Sequence, residues 1–145
     1  MDDVRLASVD PALADGISKS SSLKLATLTR AIAEWIVVQV PVNDPRLEDA
    51  LRALGDRNPD DQIRARLWSL VEELDERAWS LQGPEMHMDT DAAYTRAFGE
   101  ARAANAIWCA LASPLTWETT ADCVYEAQAS RGDLDGVKGI ARQVL

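Results

Sequence analysis

Apolar positions along this chain recur at three and four residues far more often than at two. The clearest run is Ile63, Leu67, Leu70, Leu74, Ala78 and Leu81, which is one face of a helix. It predicts a helix from Pro59 to about Leu81. Four polar residues stand directly before a proline: Asp10-Pro11, Asp44-Pro45, Asn58-Pro59 and Ser113-Pro114. Each pair reads as a helix start, because the polar side chain caps free amides and proline at the first position lacks the amide that would go unpaired. The remaining predicted helices run from about Leu23 to Gln39, Pro45 to Leu54 (closed by Gly55), Asp91 to Ala112, Pro114 to Ser130, and Leu134 to Val144 with Asp133 as cap. The second half of the first is apolar nearly all round, which suggests a central place. Its β-branched piece Trp35–Val40 could form a strand, but no alternating partner strand exists to pair with it. No Asn-Gly or Asp-Gly hairpin separates two alternating runs. The expected fold is therefore all-α, a compact single-domain bundle of about five to six helices over residues 23–145, behind a weakly ordered segment over residues 1–22.

The helix Asp91 to Ala112 carries two apolar faces. Tyr94, Phe98, Ala101, Trp108 and Ala112 form an aromatic-rich stripe, and Ala92, Gly99, Ala103, Ala106 and Ala110 a stripe of small residues. A glycine inside a helix costs up to about 1 kcal/mol, and close approach of another backbone would account for it. This helix is expected at the centre of the C-terminal half. The fifth helix packs Trp117, Ala121, Val124 and Gln128, and the sixth Val137, Ile140, Ala141 and Val144.

The composition changes the picture mainly through charge. The 145 residues are 47% hydrophobic and 27% charged, as in a folded globular domain, and carry 24 acidic against 15 basic side chains for a net charge of −9. Without a basic cluster to displace phosphate counterions, nucleic acid is not an expected partner, and anionic membranes are disfavoured likewise. A basic protein is the partner such a surface attracts. The start MDDVRLASVD lacks the apolar core of a secretion signal, and the run Ala31 to Val42 is too short and too interrupted to span a membrane. Cys109 and Cys123 are too few for a disulfide framework. Their expected offset along neighbouring antiparallel helices points to reduced thiols in a cytoplasmic protein.

Candidate chemistry is sparse. The single histidine, His87, sits in PEMHMDTDAAY with Met86, Met88, Asp89 and Asp91. Soft thioethers and hard carboxylates make no coherent ligand set, so no metal and no cofactor is expected there. Asp89 or Thr90 fits instead as the cap of a helix start. The densest negative region begins with Glu72, Glu73, Asp75 and Glu76 and extends to Asp91. Trp68 and Trp79, eleven residues apart on the same helix, fall on one side of it, at the edge of its leucine stripe. Packing is the common fate of aromatic stripes, and Trp35, Trp108 and Trp117 lie on expected core faces. Trp68 and Trp79 could instead anchor a partner, with Glu72, Glu73 and Glu76 steering it. Arg102 and Asn105 lie beside the aromatic stripe. Together with Tyr94 and Trp108 they would form either an internal polar knot or the lining of a pocket. No nucleophile motif and no phosphate-cradling glycine loop is present, so no catalytic residue is assigned.

Three stretches, NDPRLEDALRAL (Asn43 to Leu54), EARAANAIWCAL (Glu100 to Leu111) and ADCVYEAQAS (Ala121 to Ser130), resemble in that order the all-helical immunity proteins of bacterial toxin systems. The resemblance implies a non-enzymatic helical fold that binds and blocks a cognate toxin. Two functions are thus expected to compete: an acidic helical module inhibiting a basic protein, and a small helical enzyme or ligand binder with a pocket beside Tyr94 and Trp108.

Overall fold

The computed structural model describes residues 4–56, 60–81 and 88–145, with the side chains of residues 88–91 left aside. These residues form eight helices and no strand: α1 (Arg5–Val9), α2 (Pro11–Ser18), α3 (Ser22–Gln39), α4 (Pro45–Asp56), α5 (Asp61–Leu81), α6 (Met88–Ala110), α7 (Trp117–Arg131) and α8 (Leu134–Val144). The all-α expectation holds, but five to six helices is too few. The two additional helices lie in residues 1–22, read from the sequence as weakly ordered. Asp10 ends α1 and caps α2, its carboxylate accepting from the Leu13 amide at 3.0 Å, with Pro11 at the first helical position. Leu6 and Ile17 are fully buried. Both helices pack on α7. Helices of 5 and 8 residues are too short to show a periodic face, and tertiary burial rather than propensity stabilises them.

Local signals placed the other boundaries with mixed success. Trp35 to Gln39 is helical, with Ile32, Ala33 and Ile36 buried, and Ser21 caps α3. The Asp44-Pro45 start stands, the Asp44 carboxylate accepting from the Arg46 amide at 2.8 Å. Gly55, however, does not close α4, which continues to Asp56. Among the described glycines only Gly132, at φ 64° beyond α7, takes the left-handed conformation of such a stop. Asn58-Pro59 lies outside the described residues, and α5 buries Leu67, Leu70, Leu74 and Ala78 as its periodicity required. The expected start at Pro114 is corrected to Trp117. Thr116 and Thr119 form a reciprocal capping box there, each side-chain oxygen accepting from the other's amide at 3.2 and 3.0 Å. That satisfies two of the free amides of α7. The last helix begins and ends as read, with the Asp133 carboxylate accepting from the Gly136 amide.

Helix α6 packs against both α5 and α7, and α7 also meets α1, α2, α3 and α8. The small-residue stripe holds from Gly99 onward, while Ala92, also expected on it, is exposed. Ala103, Ala106 and Ala110 are buried, and Gly99 lies against the α7 backbone, its carbonyl accepting from the Ser130 hydroxyl at 2.5 Å. A Cβ on Gly99 would stand 2.8 Å from the Ser130 carbonyl oxygen, whereas one on Gly139 would meet nothing within 4 Å. The two glycines therefore respond oppositely to alanine. Gly139→Ala should raise stability by about 0.5–1 kcal/mol through helix propensity. Gly99→Ala should lower it by about 1–3 kcal/mol, because the clash with rigid backbone outweighs that gain. Thermal melts of both variants check this; a rise for Gly99→Ala would refute the close approach.

Candidate functional site

One side of α5 faces solvent along its whole length. Trp68, Glu72, Glu76 and Trp79 are spaced by four, four and three residues, within an arc of about 80°. All four are exposed, Trp79 to 77% and Trp68 to 39%. The rings sit at the two ends of a row about 17 Å long. Between them neither Glu72 nor Glu76 has an ion-pair partner among the described residues. Trp68 is held from behind: its ring centroid lies 4.6 Å from that of Trp108 on α6, tilted by 45°. The Arg64 guanidinium lies over the Trp108 ring at 4.0 Å. Trp108 is thus support for this face.

Glu73 departs from the row, on the flank of α5 that turns toward α4. Its carboxylate accepts from Arg46 at 2.6 Å, and Arg46 also grips Asp44 through two bonds of 3.0 and 2.9 Å. Hydrogen bonding from Arg46 holds both carboxyls below the usual range. Glu73 is thereby engaged in joining α4 to α5. Asp75 is engaged as well, accepting from Arg102 at 2.6 Å.

Arg102 forms a polar knot. Its second nitrogen donates to Glu126 Oε2 at 2.9 Å, and the Glu126 side chain has no exposed surface. Arg5 Nη1 approaches Glu126 Oε1 to 2.8 Å but outside hydrogen-bonding alignment, so that contact is an ion pair only. Burial opposes the Arg102 charge, but Glu126 and Asp75 outweigh it and raise the guanidinium pKa. Four helices, α1, α5, α6 and α7, meet at this network. Asn105 is half-buried and accepts a weak bond from the Cys109 thiol at 3.8 Å, while Tyr94 stacks on Phe98 at 6.0 Å. Tyr94, Arg102, Asn105 and Trp108 line none of four surface clefts of about 280 to 610 Å³ that open elsewhere on the described surface. Glu126 was not singled out from the sequence. The signal was its place among Cys123, Ala127 and Ser130, the residues α7 buries.

No group of three or more His, Cys, Asp or Glu among the described residues is placed to hold a metal. Met86 and His87 lie outside the described residues, as do the side chains of Met88, Asp89 and Asp91; the helix itself begins at Met88. Cys109 and Cys123 are free and buried. Burial, reinforced by Asp122 and Glu126, pushes the Cys109 thiol up to about 12, and burial raises Cys123 likewise. Only the thiolate reacts appreciably. A thiol reagent at mildly alkaline pH should therefore modify neither cysteine in the folded protein, and labelling should set in only as added urea unfolds the chain. Fast labelling without denaturant would contradict the buried placement.

No helix among the described residues is long and apolar enough to cross a membrane. No protein-family model, curated protein or solved structure matches the chain.

Proposed function

We propose that this protein is an acidic helical binding module of the bacterial cytoplasm, an immunity- or antitoxin-like inhibitor that captures a basic protein on the outer face of α5. The observation that carries this reading is the exposed row Trp68, Glu72, Glu76 and Trp79. An exposed, backed tryptophan costs the fold solvation and gives it little in return, and tryptophan is among the residues that most often dominate binding energy. The two intervening carboxylates are free to meet arginine or lysine. The net charge of −9 extends the attraction over a longer range. A pocket reading fits less well, because both terminal nitrogens of Arg102 are already paired with Glu126 and Asp75, and Trp108 is covered by Trp68 and Arg64.

The test is kinetic. Exchanging Glu72 and Glu76 for lysine leaves every described ion pair in place, so folding should be unaffected. Association with the partner should slow roughly tenfold at low salt and less at high salt, since screening shortens the field to about 10 Å at 0.1 M. Unchanged association at both salt concentrations would remove this face as the steering surface.

A further inference from the structure

The outer face of α3 is a second unpartnered surface, and its pattern has a symmetry. Leu23, Thr27, Arg30, Glu34 and Val38 lie within an arc of about 80° on this helix, and all are exposed. Leu23 and Val38 are the most exposed large aliphatic residues of the described chain, at 67% and 74%. Single exposed aliphatics need no explanation. These two, however, stand equally far from the midpoint between Arg30 and Ala31, and so do Thr27 and Glu34.

We infer that α3 pairs antiparallel with the α3 of a second copy, about a two-fold axis crossing the helix between Arg30 and Ala31. That axis sets Leu23 against the second copy's Val38 at both ends. At the centre, Arg30 and Glu34 already lie 3.2 Å apart within one helix. The two-fold operation doubles them into a ring of alternating charges, each Arg30 reaching the second copy's Glu34. This self-complementarity is what an isologous interface requires, and it selects a second copy over an unrelated partner. Charge agrees: the row carries one Arg30 and one Glu34, net zero in a chain of net −9, so two copies of this face do not repel each other. Ala26 and Ala31 keep the crossing thin. Beside it runs a groove of about 590 Å³ whose far wall includes Leu54, Leu111 and Leu115, where a side chain of the second copy can seat. Helix α3 packs on α4, α6, α7 and α8, and its paired row shares no residue with the α5 row.

Sedimentation equilibrium of the full chain tests this, from about 1 to about 500 µM. A helix pair of this size sits at the small end of specific interfaces, so a monomer–dimer equilibrium with Kd on the order of 10 µM is expected. Val38→Glu should weaken it at least about tenfold, and Glu34→Arg should do the same by placing four cations at the axis. Adding Arg30→Glu to Glu34→Arg restores alternation, so the double variant should dimerise within about threefold of the wild type. All these positions are exposed, and unchanged circular dichroism will verify folding. A monomer at every concentration overturns the pairing, as does a dimer that Val38→Glu and Glu34→Arg leave intact. A dimer that the charge swap fails to restore overturns the two-fold register.

Discussion

Replacing Arg102 by methionine is expected to lower the unfolding free energy by about 3–5 kcal/mol, the loss typical when one partner of a buried ion pair is removed. The effect falls on Glu126. Its side chain has no exposed surface, so it cannot rehydrate, and what remains is the misaligned contact to Arg5, itself half exposed. Asp75 is 46% exposed at its side chain and simply returns to water. Methionine keeps most of the length of the arginine stem, so little of the loss comes from packing. For a domain of this size the melting temperature should fall by roughly 10 °C. Glu126→Gln should cost less, because Arg102 keeps Asp75. Adding Glu126→Leu to Arg102→Met should recover much of the loss, since two apolar residues of similar volume need no partners. Urea unfolding of the three variants checks the ordering. A loss under about 1 kcal/mol for Arg102→Met would mean the pair is effectively a surface one.

The second large effect lies on binding. Trp79→Ala should leave stability within about 0.5 kcal/mol, as a surface substitution does, because the ring is 77% exposed. Against the partner it should speed dissociation by about thirtyfold, which is about 2 kcal/mol, the scale of a central aromatic anchor. Trp68→Ala separates the two roles less cleanly. That ring also covers Trp108, so the substitution should cost some stability as well as affinity. Stopped-flow or surface-based kinetics on both variants, alongside their melts, distinguishes an anchor from a packing residue.

What the sequence made legible is what one or two helical turns determine. The stripe of α5, the caps at Asp10, Asp44 and Asp133, and the small-residue stripe around Gly99 each rest on neighbours within a few positions. The row from Trp68 to Trp79 was legible for the same reason, as a matter of spacing. Its division of labour was not. Trp68 is propped by Trp108 from another helix, and Glu73 is drawn away by Arg46, which lies 27 residues distant. The Asp10-Pro11 mark gave the start of α2, but residues 1–22 read as weakly ordered because Leu6 and Ile17 find their burial where α1 and α2 pack on each other and on α7. The polar knot joins Arg102 to Glu126 across 24 residues and to Asp75 across 27, and brings in Arg5 from the far end of the chain. Such partners are chosen by tertiary packing, which local rules do not reach.

The claim that matters most is that the α5 row binds a basic protein, and one comparison tests it directly. The wild-type chain and a variant combining Glu72→Lys, Glu76→Lys and Trp79→Ala, both verified as folded, are used in parallel to capture proteins from cells of the native host, with quantitative mass spectrometry of what each retains. The prediction is a protein of basic net charge, enriched on the wild type and lost from the variant, whose purified form binds the wild type at least about a hundredfold more tightly than the variant. A partner held equally by both chains, or no protein retained by the wild type, would contradict it.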